Sequence, residues 1–212
     1  MSRTDAFGGH VTRYDAWFDS NAESYQAELN ALRSLLHGSG SALEVGVGTG
    51  RFAAELGIGI GVDASAAMLA VASQRNLHVA QALAESLPFR DASFDCLLFV
   101  TSLCFVRSVE AALAEAVRVL RPGGALIIGM INADSQLGRQ YQVRQHDSVF
   151  YRDARFMTVS GLENLLTRPG LKIDRWCQTL ASNERGDTDF SASPGNRPGG
   201  FVVVRALKSA VI

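Results

Sequence analysis

The stretch that decides the fold is "ALEVGVGTGRF", residues 42–52, in which a short apolar run with one acidic residue leads into three glycines. The run before the glycines is typical of a β-strand, and "GRFAAEL" at its end is typical of a short helix. Glycine tolerates positive φ and lets another group approach the backbone closely. We therefore expect a strand-to-helix turn whose backbone lies against a ligand or against the next helix.

Strand-like and helix-like segments alternate after this turn. The predicted strands are "GIGIGVD", "LHVAQA", "FDCLLFVTS" and "ALIIGMI", and the predicted helices among them are "SAAMLAVAS" and "SVEAALAEAVRVLRPGG". Ser65 and Ser108 stand where the N-cap residues of those helices are expected. Nearly continuous apolar strands are typical of a parallel sheet covered on both faces, and the alternation implies right-handed crossovers. The sequence therefore predicts an α/β fold of the doubly wound, Rossmann-like kind.

The flanks of this core have a different character. A long helix is predicted over "DSNAESYQAELNALRSLLHG", ending at Gly38, after an aromatic lead-in. A polar, aromatic-dotted segment follows residue 131, and then come the helix "VSGLENLLTRPG" and the closing strands "LKIDRWCQTLA" and "GGFVVVRAL". Because 212 residues suit one domain, we predict a single domain over residues 1–212. Its predicted parts are an N-terminal lid and helix (1–38), a cofactor-binding core (39–131), a substrate cap (132–158) and a closing helix with strands (159–212).

Composition excludes several partner classes. Twenty basic and 21 acidic residues give a formal net charge of −1 without a basic stripe, so we expect no nucleic-acid partner. No apolar segment approaches the roughly 18 residues of a membrane span, so we expect no membrane partner. The cysteines Cys96, Cys104 and Cys177 match no zinc spacing, and their odd number indicates a reducing compartment. We expect a cytoplasmic protein without a metal; the sequence leaves open its oligomeric state and the order of the loop at 183–198.

Three interpretations compete for the glycines. The first is a tight turn without a ligand. The second is a dinucleotide site, whose G-x-G-x-x-G/A pattern is broken here by Arg51, and beside whose pyrophosphate Glu44 would sit poorly. The third is S-adenosylmethionine, which has no phosphate but carries a cationic sulfonium and an ammonium, so that Glu44 becomes an asset, directly or through water. Asp63 ends the next strand, where a carboxylate can accept hydrogen bonds from both ribose hydroxyls.

Five segments in order resemble the blocks of class I S-adenosylmethionine-dependent methyltransferases. They are "YDAWFD", "LEVGVGTGRFAAEL", "GVDASAAMLAVA", "ALAESLPFRDASFDCLLFVTSLCFV" and "EAALAEAVRVLRPGGALIIG". The resemblance is greatest to the small-molecule branch that includes ubiquinone/menaquinone-biosynthesis-type enzymes; it covers residues 10–131 and continues more loosely to 207. It implies a seven-stranded, mostly parallel sheet with an antiparallel last strand, S-adenosyl-L-methionine as cofactor and S-adenosyl-L-homocysteine as product.

The resemblance also implies a role for individual residues around the cofactor. The residues implied at its methionine end are Glu44, Gly46, Gly48 and Gly50. Asp63 is implied at the ribose. The residues implied at the adenine are Ala64, Met68, Ala84 and Glu85, and those at the floor near the methyl group are Thr101 and Ser102. Leu83 departs from the pattern, because the family often has an acid at this position for the adenine amino group. In this chain, the resemblance then implies that the adenine is held either by the backbone and Glu85 or by apolar contact.

The methyl acceptor is less well defined. Methyl transfer is an in-line displacement, which needs alignment of the two reactants and a site with little water. An amine acceptor must only be neutral, whereas a hydroxyl acceptor usually needs a base to take its proton. The candidate substrate residues are Tyr14, Trp17, Tyr141 and Tyr151, whose rings can wall a pocket or enclose a cationic amine. The candidate proton acceptors are His10, His146 and Tyr14. We predict transfer to nitrogen or oxygen of a small molecule; the alternatives are an NAD(P)-dependent oxidoreductase and a non-catalytic, cofactor-binding partner subunit.

Overall fold

The fold is built on a central sheet in a computed structural model that describes residues 5–36, 40–167, 170–183 and 185–209. The strands are β1 (Ala42–Val45), β2 (Ile60–Asp63), β3 (His78–Gln81), β4 (Phe94–Val100), β5 (Leu120–Ile131), β6 (Leu171–Thr179), β7 (Ala181–Ser182), β8 (Thr188–Asp189), β9 (Ser193–Pro194) and β10 (Phe201–Lys208). Eight of them form one sheet in the order β3-β2-β1-β4-β5-β10-β6-β9, and β7 pairs with β8 separately.

Strand direction within the sheet follows the prediction. β1 to β5 are parallel neighbours, whereas β10 runs antiparallel between β5 and β6. The α/β fold, the mostly parallel sheet and the antiparallel last strand are therefore confirmed. The sheet has eight strands where seven were expected, because β9, from the polar loop at 183–198, pairs with β6 at the sheet edge. A second unexpected strand from that loop, β8, pairs with β7.

Helices cover both faces of the sheet. They are α1 (Asp5–Gly8), α2 (Val11–Ser20), α3 (Ala22–Leu35), α4 (Arg51–Leu56), α5 (Ala66–Ala72), α6 (Val109–Val119), α7 (Gln136–Val143) and α8 (Val159–Leu166). The alternation of side chains along β4 explains why both faces need cover. Leu98 packs in the cluster that contains α3 and α4, and Leu97 packs in the cluster that contains α6 and α8.

Two helix starts agree with the sequence. Ser65 and Ser108 cap α5 and α6 as predicted. Their hydroxyl groups accept hydrogen bonds from the backbone N–H groups of Met68 and Ala111. Each cap satisfies one of the N–H groups that the first turn of a helix leaves unpaired.

Two local predictions were wrong. The aromatic lead-in is itself a helix, α2, and Asn21 separates it from α3. The "LRPGG" segment belongs to β5, because α6 ends at Val119 and the chain bulges between Leu120 and Ala125 against β4. Gly38, the predicted end of the long helix, lies outside the described residues.

The topology leaves a crevice beside β1. The chain passes from β1 through α4 to β2 on one side, and later crosses to β4 on the other. The carboxyl ends of β1 and β4 therefore diverge at a switch point, where open parallel sheets bind their ligands.

Candidate functional site

A cavity of about 600 Å³ opens at the carboxyl ends of β1, β2 and β4. The glycine turn, the end of β2, the turn at 82–85 and the segment at 99–107 form its walls. Small-molecule sites usually have volumes of about 300–1,000 Å³. The switch point therefore coincides with a space that can hold a ligand.

Two glycines shape the floor of the cavity. Gly46 has φ +76°, and a Cβ there would lie 2.3 Å from the Cβ of Ser102. Ser102 Oγ donates a hydrogen bond of 2.7 Å to the carbonyl of Val45, so the ends of β1 and β4 are fastened together. Gly48 has φ +53°, and a Cβ there would lie 3.4 Å from the ring of Tyr14, so α2 rests directly on the turn.

Gly50 stands apart from the other two glycines of the turn. It does not line the cavity. Its φ is +83°, and a Cβ there would lie 2.6 Å from Leu77 and 3.2 Å from Ala72. Gly50 therefore lets α4 begin against α5, and the structure gives it a packing role.

Asp63 is the fixed carboxylate of the cavity. Its Oδ2 accepts the backbone N–H of Gly48 at 2.9 Å, and its Oδ1 accepts that of Ser65 at 2.8 Å. Burial raises the pKa of Asp63, and the N–H donors of Ser65, Gly48 and Ala64 oppose that rise. An ionised carboxylate has about four acceptor positions, so Asp63 can still accept a hydrogen bond from a ligand hydroxyl group.

Glu44 lies beside the cavity and not in its lining. It is 1% exposed, and its Oε2 has no hydrogen-bond partner among the described residues. Burial raises its pKa to about 8, and the charge of Asp63 adds to the rise. Because Glu44 does not line the cavity, its position favours the bridging water of the two routes expected for it.

The expected adenine side of the cavity is apolar. Ala64, Met68 and Ala84 line it as expected. Leu83 lines it as well and is 44% exposed, so its side chain is free to cover a flat ring. An apolar wall of this kind fits the expectation that the adenine is held by contact where the family often has an acid.

Glu85 lines the cavity and also connects two loops. Its Oε1 accepts the backbone N–H groups of Arg107 at 2.6 Å and Ser108 at 3.2 Å. The carboxylate of Glu85 therefore joins the turn after β3 to the loop after β4.

Thr101 holds an unusual backbone conformation at the floor of the cavity. Its φ is +48°, which is rare for a β-branched residue. Its N–H donates to the carbonyl of Gly129 at 2.8 Å. Such strain is characteristic of functional sites. Sequence inspection misses it, because threonine at a strand end gives no signal of a left-handed φ.

An aromatic lid closes one side. Tyr14 of α2 lines the cavity, with ring-centroid distances of 5.7 Å to Phe7 and 5.7 Å to Phe150. Burial raises the pKa of Tyr14, and the nearby charges of Asp63 and Glu44 raise it further. Phe7 also lines the cavity, which the sequence analysis did not foresee.

An ion-pair network fastens this lid. Both carboxylate oxygens of Asp15 accept hydrogen bonds from Arg51 and Arg75 at 2.9–3.0 Å. Arg75 also donates to the carbonyl of Thr49 in the glycine turn at 2.6 Å. Burial alone would raise the pKa of Asp15, but the hydrogen bonds from Arg51 and Arg75 hold it at about 2. The lid helix is thus anchored to the turn beneath the ligand site.

The other predicted substrate residues lie away from the cavity. Trp17 packs on Phe18 and the core. Tyr141 and Tyr151 contact each other edge to face, with ring centroids 4.9 Å apart. Tyr151 borders a separate void of about 10 Å³ behind Thr101. A void of that size has room for one water at most. None of these three predicted rings lines the large cavity.

The predicted histidine bases lie outside the cavity as well. His10 is exposed at the start of α2, with its ring 6.3 Å from Phe150. His146 is exposed in a short 3₁₀ turn. Neither lines the cavity.

The structure brings two other side chains to this wall, which the sequence analysis did not name. Phe105 lines the cavity from the loop after β4. Arg155 lines it from the segment after α7 and donates to the carbonyls of Val106 and Arg107. Both positions depend on contacts between distant segments, so no local pattern could have indicated them.

Two searches of the described residues gave negative results. No group of three or more histidine, cysteine, aspartate or glutamate side chains in the described ranges is arranged to hold a metal ion. No helix in the part of the chain that the structure describes has the length and apolar content to cross a membrane.

Similar proteins share this whole architecture. Residues 43–128 match the sequence profile of the methyltransferase domain family. A crystal structure of a SAM-dependent methyltransferase from Thermotoga maritima, named a possible histamine N-methyltransferase, is 40% identical, with a TM-score of 0.91 over 97% of this chain and 99% of its own. An uncharacterized protein of Methanocaldococcus jannaschii is 38% identical over 96% of this chain and 99% of its own length.

More distant similarity points to the branch expected from the sequence. A ubiquinone/menaquinone biosynthesis C-methyltransferase of Hahella chejuensis is 35% identical over 45% of this chain and 45% of its own. Because the Thermotoga methyltransferase matches along nearly the full length of both chains, the chain belongs to the class I S-adenosylmethionine-dependent methyltransferases and uses S-adenosyl-L-methionine as its cofactor.

Proposed function

We propose that this methyltransferase moves a methyl group to a small molecule by in-line displacement, to nitrogen or oxygen, with nitrogen favoured. The observation that carries the preference is the absence of a suitable base in the described cavity wall. The predicted histidines lie outside it, the pKa of Tyr14 is raised, and Asp63 and Glu85 are already engaged with backbone N–H groups. A hydroxyl acceptor needs help to lose its proton, whereas an amine needs only to be neutral.

The name of a relative supports the same preference. The Thermotoga methyltransferase, 40% identical to this chain, is named a possible histamine N-methyltransferase, and histamine is an amine. Aromatic side chains at the lid suit an amine as well, because ring faces attract cations. Nitrogen is therefore the first acceptor atom to test.

The residues of the cavity fit the cofactor. Asp63 offers a fixed carboxylate that can accept a hydrogen bond from the ribose diol, and Gly46 with Gly48 offers backbone at the cavity wall for the methionine end. Leu83 and Met68 offer apolar contact for the adenine in place of the acid that the family often carries. Bound there, S-adenosylmethionine supplies a methyl group already activated on a cationic sulfur.

The protein's own contribution is alignment and exclusion of water. Tyr14 covers the glycine turn, and Asp15 holds the helix of Tyr14 in place through Arg51 and Arg75. Fixing two reactants in a dry site supplies a large part of the rate acceleration of such a displacement.

The substrate cap follows from the same reasoning. We propose that residues 132–158 act as this cap. Two contacts support the proposal: Arg155 reaches the cavity, and the ring of Phe150 lies against Tyr14 of the lid. The cap and the lid therefore contact each other beside the cavity.

The test is transfer of an isotope-labelled methyl group to matched panels of amines and phenols, followed by mass spectrometry. We expect label on an amine and little on the phenols. Label on the phenols alone contradicts the preference for nitrogen. A small-molecule acceptor remains a prediction from the family resemblance. A cytoplasmic location and the exclusion of nucleic acid remain predictions from composition, and adding RNA and DNA to the same assay tests the second of these.

A further inference from the structure

Arg155 is fastened to the cavity wall by three hydrogen bonds to one segment of the chain. Its backbone N–H donates to the carbonyl of Cys104 at 2.8 Å. Its Nη2 donates to the carbonyls of Val106 at 3.0 Å and Arg107 at 2.8 Å. All three acceptors lie in the segment after β4, so backbone groups fix the place at which the guanidinium of Arg155 lines the cavity.

The contacts of Arg155 leave its charge without a counter-ion. A guanidinium carries five N–H donors and stays protonated in proteins. The two carbonyl groups that Nη2 meets are neutral, and neither Nε nor Nη1 donates to a described residue. No acid in the described ranges forms an ion pair with Arg155. A full positive charge and the donors of Nε and Nη1 are therefore available to a ligand.

A second guanidinium belongs to the same wall. Arg107 lines the cavity, and its backbone N–H donates to Glu85 at 2.6 Å. Its side chain has no hydrogen bond or ion pair with any residue that the structure describes. Both Arg107 and Arg155 are exposed, and the hydrogen bond between them joins the two residues at the solvent-facing part of the wall.

Arginines elsewhere in the molecule are paired with acids. Arg51 and Arg75 share Asp15 beneath the lid, and Arg205 pairs with Asp174. These side chains fasten one part of the fold to another through charge. The two arginines of the cavity wall face a ligand space without such a partner, which favours a role in binding.

The cofactor does not account for these two charges. The anionic group of S-adenosylmethionine is its carboxylate, and the methionine end is expected at Gly46 and Gly48. Arg107 is bonded instead to Glu85, which is expected at the adenine, a ring without an anionic group. The segment of the two arginines begins at Thr101, which is expected near the methyl group. A molecule lying along this segment can present one atom to the methyl group and an anion to the arginines.

We propose that Arg155 and Arg107 bind an anionic oxygen group of the methyl acceptor, a carboxylate or a phosphate. Guanidinium groups suit such anions because several N–H donors meet the oxygens at once. The acceptor is then an anion whose nucleophilic nitrogen is neutral, as in an aromatic amine. This inference rests on the proposed function, since it assigns the substrate class of the same cavity.

The experiment is calorimetric titration of the full chain saturated with S-adenosylhomocysteine. The anionic probes are 4-aminophenylacetate and 4-aminophenyl phosphate, and the neutral probes that match them are 4-aminophenylacetamide and 4-aminophenol. The variants are Arg155→Gln and Arg107→Gln, which remove the charges, and Arg155→Lys, which keeps one. Arg152→Gln is the control, because Arg152 is an exposed arginine of the same segment that does not line the cavity.

We expect at least one anion to bind the wild type more tightly than its neutral match, and the two anions tell carboxylate from phosphate. Arg155→Gln should weaken the binding of that anion by about tenfold or more, the scale of a lost hydrogen bond to a charged group, and leave the neutral probe unchanged. Arg107→Gln should weaken it as well. Arg155→Lys should bind the anion better than Arg155→Gln, and Arg152→Gln should behave as wild type.

The contradicting outcomes separate this inference from the proposed function. If neither anion is preferred by the wild type, or if Arg155→Gln and Arg107→Gln both bind it as wild type does, the acceptor has no anion site here while methyl transfer stands. If both variants lose affinity for S-adenosylhomocysteine, the arginines hold the cofactor carboxylate and the inference is wrong. If only Arg155→Gln loses it, Arg107→Gln decides. Label on phenols alone overturns the preference for nitrogen and leaves the anion site standing.

Discussion

The cofactor half and the lid half of the site are built in different ways. The cofactor half, formed by the turns at 46–50, 63–65 and 82–85, is defined by backbone conformation and by hydrogen bonds to backbone N–H groups. The lid half, formed by α1, α2 and residues 132–158, is defined by rings and ion pairs between distant segments. We propose that the first half holds the cofactor and that the second half meets the methyl acceptor.

The largest expected effect lies in the cofactor half, at Gly46. A Cβ at this position would lie 2.3 Å from the Cβ of Ser102, and φ is +76°. Gly46→Ala should therefore lower the free energy of unfolding by about 3 kcal/mol or more, since it combines a steric clash with a strained backbone.

Gly57→Ala is the matched control for this substitution. The φ of Gly57 is +71°, but no atom lies within 4 Å of a Cβ built there. Only the backbone cost of an L-residue in the left-handed region is then expected, about 1–2 kcal/mol. Urea denaturation measures the free energy of unfolding of both variants. An equal decrease in the two variants would show that the contact between Gly46 and Ser102 is not rigid.

Glu28, on α3, gives the next largest effect. Its pKa rises from 4.5, the value expected for the unfolded chain, to about 8 in the folded protein. The folded state therefore holds the extra proton, and wild-type stability falls as pH rises through this interval. Glu28→Gln removes that fall. Its stability relative to wild type should grow with pH by an amount that reaches about 3 kcal/mol, the upper end of the cost of an unsatisfied buried polar group.

Melting temperatures measured from pH 5 to pH 9.5 check this prediction. The advantage of Glu28→Gln over wild type should grow until about pH 8 and then level off. Glu23→Gln, which removes an exposed acid from the same helix, is the control, and Glu44, whose pKa is also raised, is present in all three proteins. A constant difference for Glu28→Gln would mean that Glu28 is solvated in the folded state.

A smaller effect is expected at Asp63, in the cofactor half. Asp63→Ala should weaken S-adenosylhomocysteine binding by roughly 10- to 100-fold, since unpaired buried polar groups cost about 1–3 kcal/mol. Asp91→Ala, which removes an exposed acid from the surface, is the control. Calorimetric titration measures the affinity of both variants for S-adenosylhomocysteine, and an unchanged affinity of Asp63→Ala would refute the ribose assignment.

The two halves also differ in how far the sequence predicts them. Asp63 and Ser65 were found because their partners are at most 15 positions away and the strand-to-helix turn has a local pattern. The sequence analysis expected Glu85 near the adenine. It did not identify the hydrogen-bond partners of Glu85, which are backbone N–H groups 22 and 23 positions later in the chain. Local spacing predicts which residues end strands, and says little about which distant backbone groups those residues then bind.

The lid half was predicted in composition but not in arrangement. The aromatics were recognised as candidate substrate residues, yet of the four only Tyr14 lines the cavity, because α2 is helical and turns Trp17 toward the core. Glu28 gave no signal, since an acid on an amphipathic helix is usually on its solvated face. Tyr141 and Tyr151, whose pKa values the charge of Glu28 helps to raise after burial, come from segments more than 100 residues later in the chain, which periodicity within one helix does not report.

The smallest expected effect concerns the joint between the halves, at Asp15. Asp15→Asn keeps the shape of the side chain but weakens its hydrogen bonds to both Arg51 and Arg75, so α2 should open from the glycine turn more readily. Breaking a partly exposed charged pair lowers stability by about 1 kcal/mol. If the free energy of local opening falls by that amount, hydrogen exchange at the amides of residues 11–20 becomes roughly fivefold faster. Asp19→Asn, which removes only the exposed pair with Arg51, should change exchange much less. Equal exchange in both variants would show that the aromatic packing of α2 alone holds the lid, and the two halves would then be joined by rings and not by charge.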